Sequence, residues 1–208
     1  MHTPADESER FRPTDLPLWL AIYAGFALTL LAIWPFFLVK NFFKLIGSRT
    51  LFGAGIALIV LDQLSKLGMW HFLGGVPGNR VVLIPGYLDL TLVTNLGAAF
   101  GLFPGETKMF IMMALFTIGI IVAYLTMIGE DEKLVRVALV CIMAGAVGNL
   151  IDRVFLGHVI DFIDAHWGPH HWPVFNLADT IINIGVGLIV IDVIRDFART
   201  RSRVQAAS

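Results

Sequence analysis

The sequence predicts an α-helical integral membrane protein with five apolar spans and a small β-rich insert. Three observations lead there. The chain is 57% hydrophobic and only 15% charged, with a mean hydropathy of +0.77, outside the usual range for soluble domains. Its apolar residues gather into runs that approach the roughly 20 residues needed to cross the hydrocarbon core. Between the second and third runs the pattern changes to short β-rich stretches around turn residues.

The first run, Leu16 to Val39, carries no charge. The tail before it sets Asp6, Glu7, Glu9 and Asp15 against Arg10 and Arg12, and so lacks the basic start of a secretory signal. A retained span is therefore expected here. The second run, Leu51 to Leu61, is short by itself and continues helically through Asp62-Gln63-Leu64-Ser65-Lys66 toward Trp70. Arg80 to Ile84 and Tyr87 to Val93, around Pro85-Gly86, read as two strands of a sheet resting on the outer leaflet. The small residues of Asn95-Leu96-Gly97-Ala98-Ala99-Phe100-Gly101 fit either close approach of a ligand or packing on the helices. Met109 to Ile128 and Val137 to Ile151 are the third and fourth runs, joined across the charged loop Glu130 to Lys133. Thr180 to Ile191 is the fifth, with Gly185 and Gly187 as helix-packing positions.

Orientation follows the basic residues. Lys40, Lys44 and Arg49, then Lys133 and Arg136, then Arg195, Arg199, Arg201 and Arg203 fall on one side in short segments, nine of the fifteen Lys and Arg. That side is expected to be cytoplasmic. Asp62, Asp152, Asp161 and Asp179 then all lie at the opposite, outward surface.

Carboxylates at a membrane boundary are costly and read as functional. Asp161 and Asp179 are eighteen residues apart, about 27 Å on one continuous helix, too far to share a proton or a water. Gly157, Gly168-Pro169 and Pro173 supply breaks that let the chain turn back and bring the two together. Two such aspartates suggest acid–base hydrolysis by an activated water, with one carboxyl protonated while the other accepts a proton. This chemistry requires neither a metal nor a cofactor. Arg153 has the forked donors to bind a carbonyl or lock a carboxylate, although Asp152-Arg153 also fits an interfacial ion pair. Asp62 and Lys66, four apart, share a helix face and fit a plain structural pair equally well.

Other residues weigh less. Gly168-Pro169 prevents His166 and His170 from presenting together on a regular helix, which argues against zinc; with His171, Trp167 and Trp172 they are expected in a wet loop at the headgroup level. The single cysteine, Cys141, sits in an apolar run as a small buried residue and permits no intrachain disulfide. A transporter would place its charges near mid-bilayer and repeat its halves, whereas these acids cluster at one face. A non-catalytic binding scaffold is the other alternative.

Five segments carry a resemblance: Asp62-Gln63-Leu64-Ser65-Lys66, Asn95-Leu96-Gly97-Ala98-Ala99-Phe100, Gly148-Asn149-Leu150-Ile151-Asp152-Arg153, Val159-Ile160-Asp161-Phe162 and Phe175-Asn176-Leu177-Ala178-Asp179. In order and spacing they resemble the signature blocks of lipoprotein signal peptidase, or signal peptidase II, over roughly Leu51 to Arg195. The resemblance implies a four-helix core with a small extracytoplasmic β-rich subdomain, in a bacterial inner-membrane aspartic endopeptidase. Its substrates would be diacylglyceryl-modified prolipoproteins within membrane lipid, cut before the lipidated cysteine, and nucleic acid would have no part. Asp161 and Asp179 would be the catalytic dyad. Asn149, Asp152, Arg153, Asn176 and Ala178 would shape the site, with Asp62, Lys66, Asn95 and Gly97 supporting it.

The implied organisation is an N-terminal tail and extra span over 1–46, a peptidase domain over 47–195 with its β-rich insert near 77–95, and a basic cytoplasmic tail over 196–208. The chain departs from the family pattern in the added front span and in Leu96, where a small or hydroxyl residue is common.

Overall fold

A computed structural model of the chain describes residues 49–97 and 105–207. The span expected over Leu16 to Val39 lies outside these residues. Four helices in the described part are long and apolar enough to cross a membrane: α1 (Arg49–Gly74), α2 (Thr107–Met127), α3 (Lys133–Phe155) and α4 (Leu177–Ala207). α1 is one continuous helix, so the short apolar run and its polar extension form a single element. α4 begins three residues before Thr180 and continues as helix through the expected basic tail.

These helices turn large apolar side chains outward, among them Leu64, Leu67, Phe72, Met127, Phe155 and Phe197, each more than half exposed. Bare to water, such a surface would be unfavourable; against lipid tails it is not. Interhelical cohesion must then come from close packing rather than from burial out of water. α3 is the central helix and packs on the other three. Its small residues allow this: a Cβ at Gly145 would run into the Ala178 carbonyl, and one at Gly185 of α4 would lie 2.7 Å from the Ala138 carbonyl. Gly187, by contrast, faces open space, so the packing role expected of it falls to Gly185 alone.

The sheet is larger than the expected insert. β1 (Arg80–Ile84) and β2 (Leu88–Asn95) are joined by β3 (Val159–Trp167) and β4 (His170–His171) in the antiparallel order β1-β2-β3-β4. Tyr87 N–H bonds to Ile84 O across Pro85-Gly86, with Gly86 at φ +83° as a tight turn of this kind requires. Gly157, at φ +80°, follows the end of α3, and its N–H caps Arg153 O. That turn redirects the chain from helix into β3 and so places Asp161 on a strand.

His166, His170 and His171 lie in β3 and β4 rather than in a loop, because the Gly168-Pro169 break makes a hairpin. His166 and His171 stack with ring centroids 4.6 Å apart. Asp89 and Asp164 stand directly opposite on β2 and β3, a repulsive placement unless each is countered. Arg80 binds Asp89, and His171 Nδ1 lies 2.8 Å from Asp164. Burial works to raise the Asp89 carboxyl, but Arg80 and His166 outweigh it and hold it below the ordinary carboxylate value.

Candidate active site

At one end of the bundle, α1, α3, β3 and the start of α4 converge on a buried polar network. At its centre is Lys66, only 2% exposed. Its three ammonium donors find three acceptors: Asp62 Oδ2 at 2.9 Å, Asp152 Oδ2 at 3.0 Å and Asn149 Oδ1 at 2.9 Å. Asp62 and Lys66 are therefore an i, i+4 pair as their spacing indicates, but one extended across helices. Asp152 makes its ion pair with Lys66 rather than with the neighbouring Arg153, since the two residues project from different faces of α3.

Asp62 does a second job. Its Oδ1 accepts the Ala178 N–H at 2.8 Å, one of the amides that a helix start leaves without an intrahelical partner. Favourable interaction with the positive end of the α4 dipole adds to this bond. Gly148 must be glycine for the approach, because a Cβ there would collide with the Asp62 carboxylate, and it would stand 3.3 Å from the Ala178 methyl. Gln63, to which the sequence pattern assigns no role, donates from Nε2 to Asp62 Oδ2, Asp152 Oδ1 and Gly148 O at 3.0–3.1 Å. Its position beside Asp62 was the available signal.

Asn176 precedes α4 and caps it. Its Oδ1 accepts the Asp179 N–H at 3.0 Å, and Asp179 Oδ2 accepts the Asn176 N–H at 3.2 Å. This is a reciprocal capping box built from Asn and Asp. Asp179 Oδ1 takes a further bond from Asn149 Nδ2 at 2.8 Å. The amide of Asn176 reaches the other carboxylate, donating to Asp161 Oδ1 at 2.7 Å and to Asn149 Oδ1 at 3.0 Å. Asn95 Nδ2 donates to Asp161 Oδ2 at 2.9 Å. Register explains that last contact: Asp161 pairs with Val93, which sets Asn95 diagonally across on the same face.

Asp161 and Asp179 line one cavity of about 420 Å³ together with Asn95, Gly97, Asn149 and Arg153. Asp62, Lys66, Asp152, Asn176 and Ala178 do not reach that cavity and stand behind it. The candidate residues thus separate into a wall and a support. Burial pushes the Asp161 carboxyl up to about 7; the Asp179 charge adds to the rise, and bonds from Asn95 and Asn176 oppose it. Arg153 is fixed by donation from Nη2 to Gly97 O at 3.1 Å and by the Phe110 ring, whose centroid is 5.0 Å away. Phe110 had no signal in the sequence, being one apolar residue within a long apolar run.

Four apolar helices with paired aspartates in a cleft at one end define a multi-pass membrane peptidase of the aspartic class. Residues 54–195 match the family model described as signal peptidase (SPase) II, and the chain belongs to that family. It is 43% identical over 144 residues to a lipoprotein signal peptidase of Geobacter metallireducens, covering 68% of this chain and 88% of that one. A Pseudomonas fluorescens protein of the same description is 36% identical over 146 residues, covering 67% and 84%. A solved structure described as a bacterial membrane enzyme superposes with a TM-score of 0.66 at 31% identity, over 73% of this chain and 92% of that one. A second, similarly described, gives 0.61 at 30% identity over 72% and 95%.

Proposed function

We propose that the protein removes the signal peptide from diacylglyceryl-modified prolipoproteins, cutting before the lipidated cysteine with a water activated by Asp161 and Asp179. The observation that carries this reading is that a strand residue and a helix-start residue face one cavity and share Asn176 as a common bridge. Near neutral pH Asp161 is the member that carries the proton, since its carboxyl titrates at about 7. Asp179, oriented by bonds from Asn149 Nδ2 and the Asn176 N–H, takes a proton from the water as the water oxygen attacks the scissile carbonyl. Asp161 protonates the carbonyl oxygen. The tetrahedral diol then collapses: one hydroxyl proton returns to Asp161 as the carbonyl re-forms, the C–N bond breaks, and the proton gained by Asp179 passes to the amine of the lipidated cysteine.

Arg153, braced by Gly97 and Phe110, offers its remaining donors to a substrate carbonyl, where a planar fork orients better than an ammonium. Asn95 and Asn149 hold the two carboxylates in place. Asp62, Lys66, Asp152 and Ala178 fix the start of α4. The lipid chains of the substrate stay in the bilayer beside the exposed apolar helix faces, so the peptide alone enters the polar cleft. The basic-residue asymmetry supports an outward-facing cleft, and membership of the signal peptidase II family supports a bacterial inner membrane. Residues 47–195 are the proposed peptidase domain.

The test is cleavage of a diacylglyceryl-modified prolipoprotein peptide by the purified protein beside its Asp161→Asn and Asp179→Asn variants. Each variant should lose cleavage while inserting and expressing normally. Near-wild-type turnover by either refutes the dyad; substrate binding without turnover by the wild type supports a scaffold instead.

A further inference from the structure

Arg136 lies in the first turn of α3, about 20 Å along that helix from Asn149 at 1.5 Å per residue. It is therefore at the end of the bundle opposite the aspartates. Its side chain is 8% exposed. Nη1 donates to Leu125 O, Ile128 O and Gly129 O at 3.4–3.5 Å, long bonds to the carbonyls that close α2. These acceptors are neutral. Glu130, Asp131 and Glu132 of the adjoining loop are exposed, and among the described residues no carboxylate comes within ion-pair distance of Arg136.

The same side chain forms part of the wall of a crevice of about 80 Å³, otherwise apolar, lined by Leu51, Phe52, Ile56 and Ile59 of α1 with Leu125 and Met143. Phe52 and Ile56 are about half exposed, so the crevice opens on an outward face of α1. A cation in an apolar wall is expensive unless an anion meets it. At the edge of a membrane span the anion at hand is a lipid phosphate, and basic pockets between spans are suited to such headgroups. A phospholipid also supplies hydrocarbon to fill the rest of the crevice, which a free phosphate would leave empty.

We propose that this crevice binds one anionic phospholipid of the leaflet opposite the active face, with the phosphate against Arg136 and an acyl chain along Ile56 and Ile59. The bound lipid joins α1, α2 and α3 at the end where the polar network does not reach. Native mass spectrometry of the full-length protein tests this, after delipidation and separate titration with phosphatidylglycerol, phosphatidylcholine of the same acyl chains, and inorganic phosphate.

The expected result is a single phosphatidylglycerol retained about tenfold more tightly than phosphatidylcholine, with that preference lost in Arg136→Gln. Because Arg136 also caps α2, a second variant is needed: Ile56→Trp narrows the crevice from its exposed side and leaves the cap intact. It should lose the same lipid while its thermal unfolding stays close to wild type. Equal retention of the two lipids, unchanged retention in Ile56→Trp, or binding of phosphate alone as tight as that of phosphatidylglycerol would each overturn the proposal.

Discussion

Asn176 and Asp179 satisfy each other's backbone amides: the side-chain oxygen of one accepts the N–H of the other in both directions. A capping interaction of this kind ordinarily serves helix stability. Here it also fixes the rotamer of a carboxylate that lines the cleft, and the spare amide of Asn176 extends the constraint to Asp161. Folding of the α4 start and assembly of the aspartate pair are thus one event.

Asn176→Ser separates the two roles. Serine retains a capping oxygen, so the cap itself should lose little, while the missing buried amide bonds should cost on the order of 1–3 kcal/mol. It lacks the amide donors, so Asp161 and Asn149 lose their bridge and kcat should drop by roughly 10²-fold or more at unchanged KM. Thermal unfolding and steady-state cleavage check the two halves. Normal turnover, whatever the change in stability, would show that the amide bridge to Asp161 does not govern catalysis.

The rise of the Asp161 carboxyl predicts a pH profile. If Asp161 must be protonated to act, kcat/KM falls as pH increases through about 7. The Asn95 bond favours the ionised carboxylate and opposes the rise. Asn95→Ala should therefore move this alkaline limb to higher pH, beside any loss of absolute rate. A limb that stays in place, or moves to lower pH, would show that another group controls it.

Much of this site was legible in the sequence, for physical reasons. Ionisable residues are costly at membrane boundaries, so Asp62, Lys66, Asp152, Asp161 and Asp179 stood out, and turn-forming residues between Asp161 and Asp179 allowed the chain to fold back. The helices were visible as apolar runs, and the polar extension of α1 through Asp62 toward Trp70 was legible too, but the start of α4 was not: Leu177 to Asp179 precede the apolar run and are helical because the Asn176 cap sustains them. Membership of Asp161 in a four-stranded sheet was hidden, since β3 pairs with β2 across more than sixty residues and two intervening helices. Which candidates form the wall and which stand behind it depends on side-chain direction, and local spacing does not encode that. The ion-pair reading of Asp152-Arg153 went astray for the same reason.

Lys66→Met tests the support behind the wall. The substitution keeps the length of the side chain but leaves Asp62 and Asp152 buried without their cation, a change that costs about 3–5 kcal/mol. The start of α4 should loosen, and activity should fall with stability. Adding Asp152→Asn to Lys66→Met should restore part of the stability by removing one of the two orphaned charges. The measurement is thermal unfolding of both variants in the same detergent, and an additive loss in the double variant would contradict the arrangement.

Asp161 is predicted to work against folding. A carboxyl raised from 3.8 to about 7 binds more protons in the native than in the unfolded state throughout that interval. By linkage, its contribution to native stability is fully present below about pH 4 and is lost progressively as pH rises to about 7. At pH 8 the ionised, buried carboxylate costs on the order of 4 kcal/mol, although the chemistry needs a carboxyl at this position. Asp161→Asn abolishes the chemistry, removes the buried charge and keeps one oxygen, which accepts from either Asn95 or Asn176 but not both, so at pH 8 it should unfold at a higher temperature than the wild type. The gain should shrink toward pH 4, where both side chains are neutral. Unfolding curves of the two proteins across that range provide the measurement; a variant that is less stable at pH 8, or a difference that does not change with pH, would mean that the native fold does not bear this cost at Asp161.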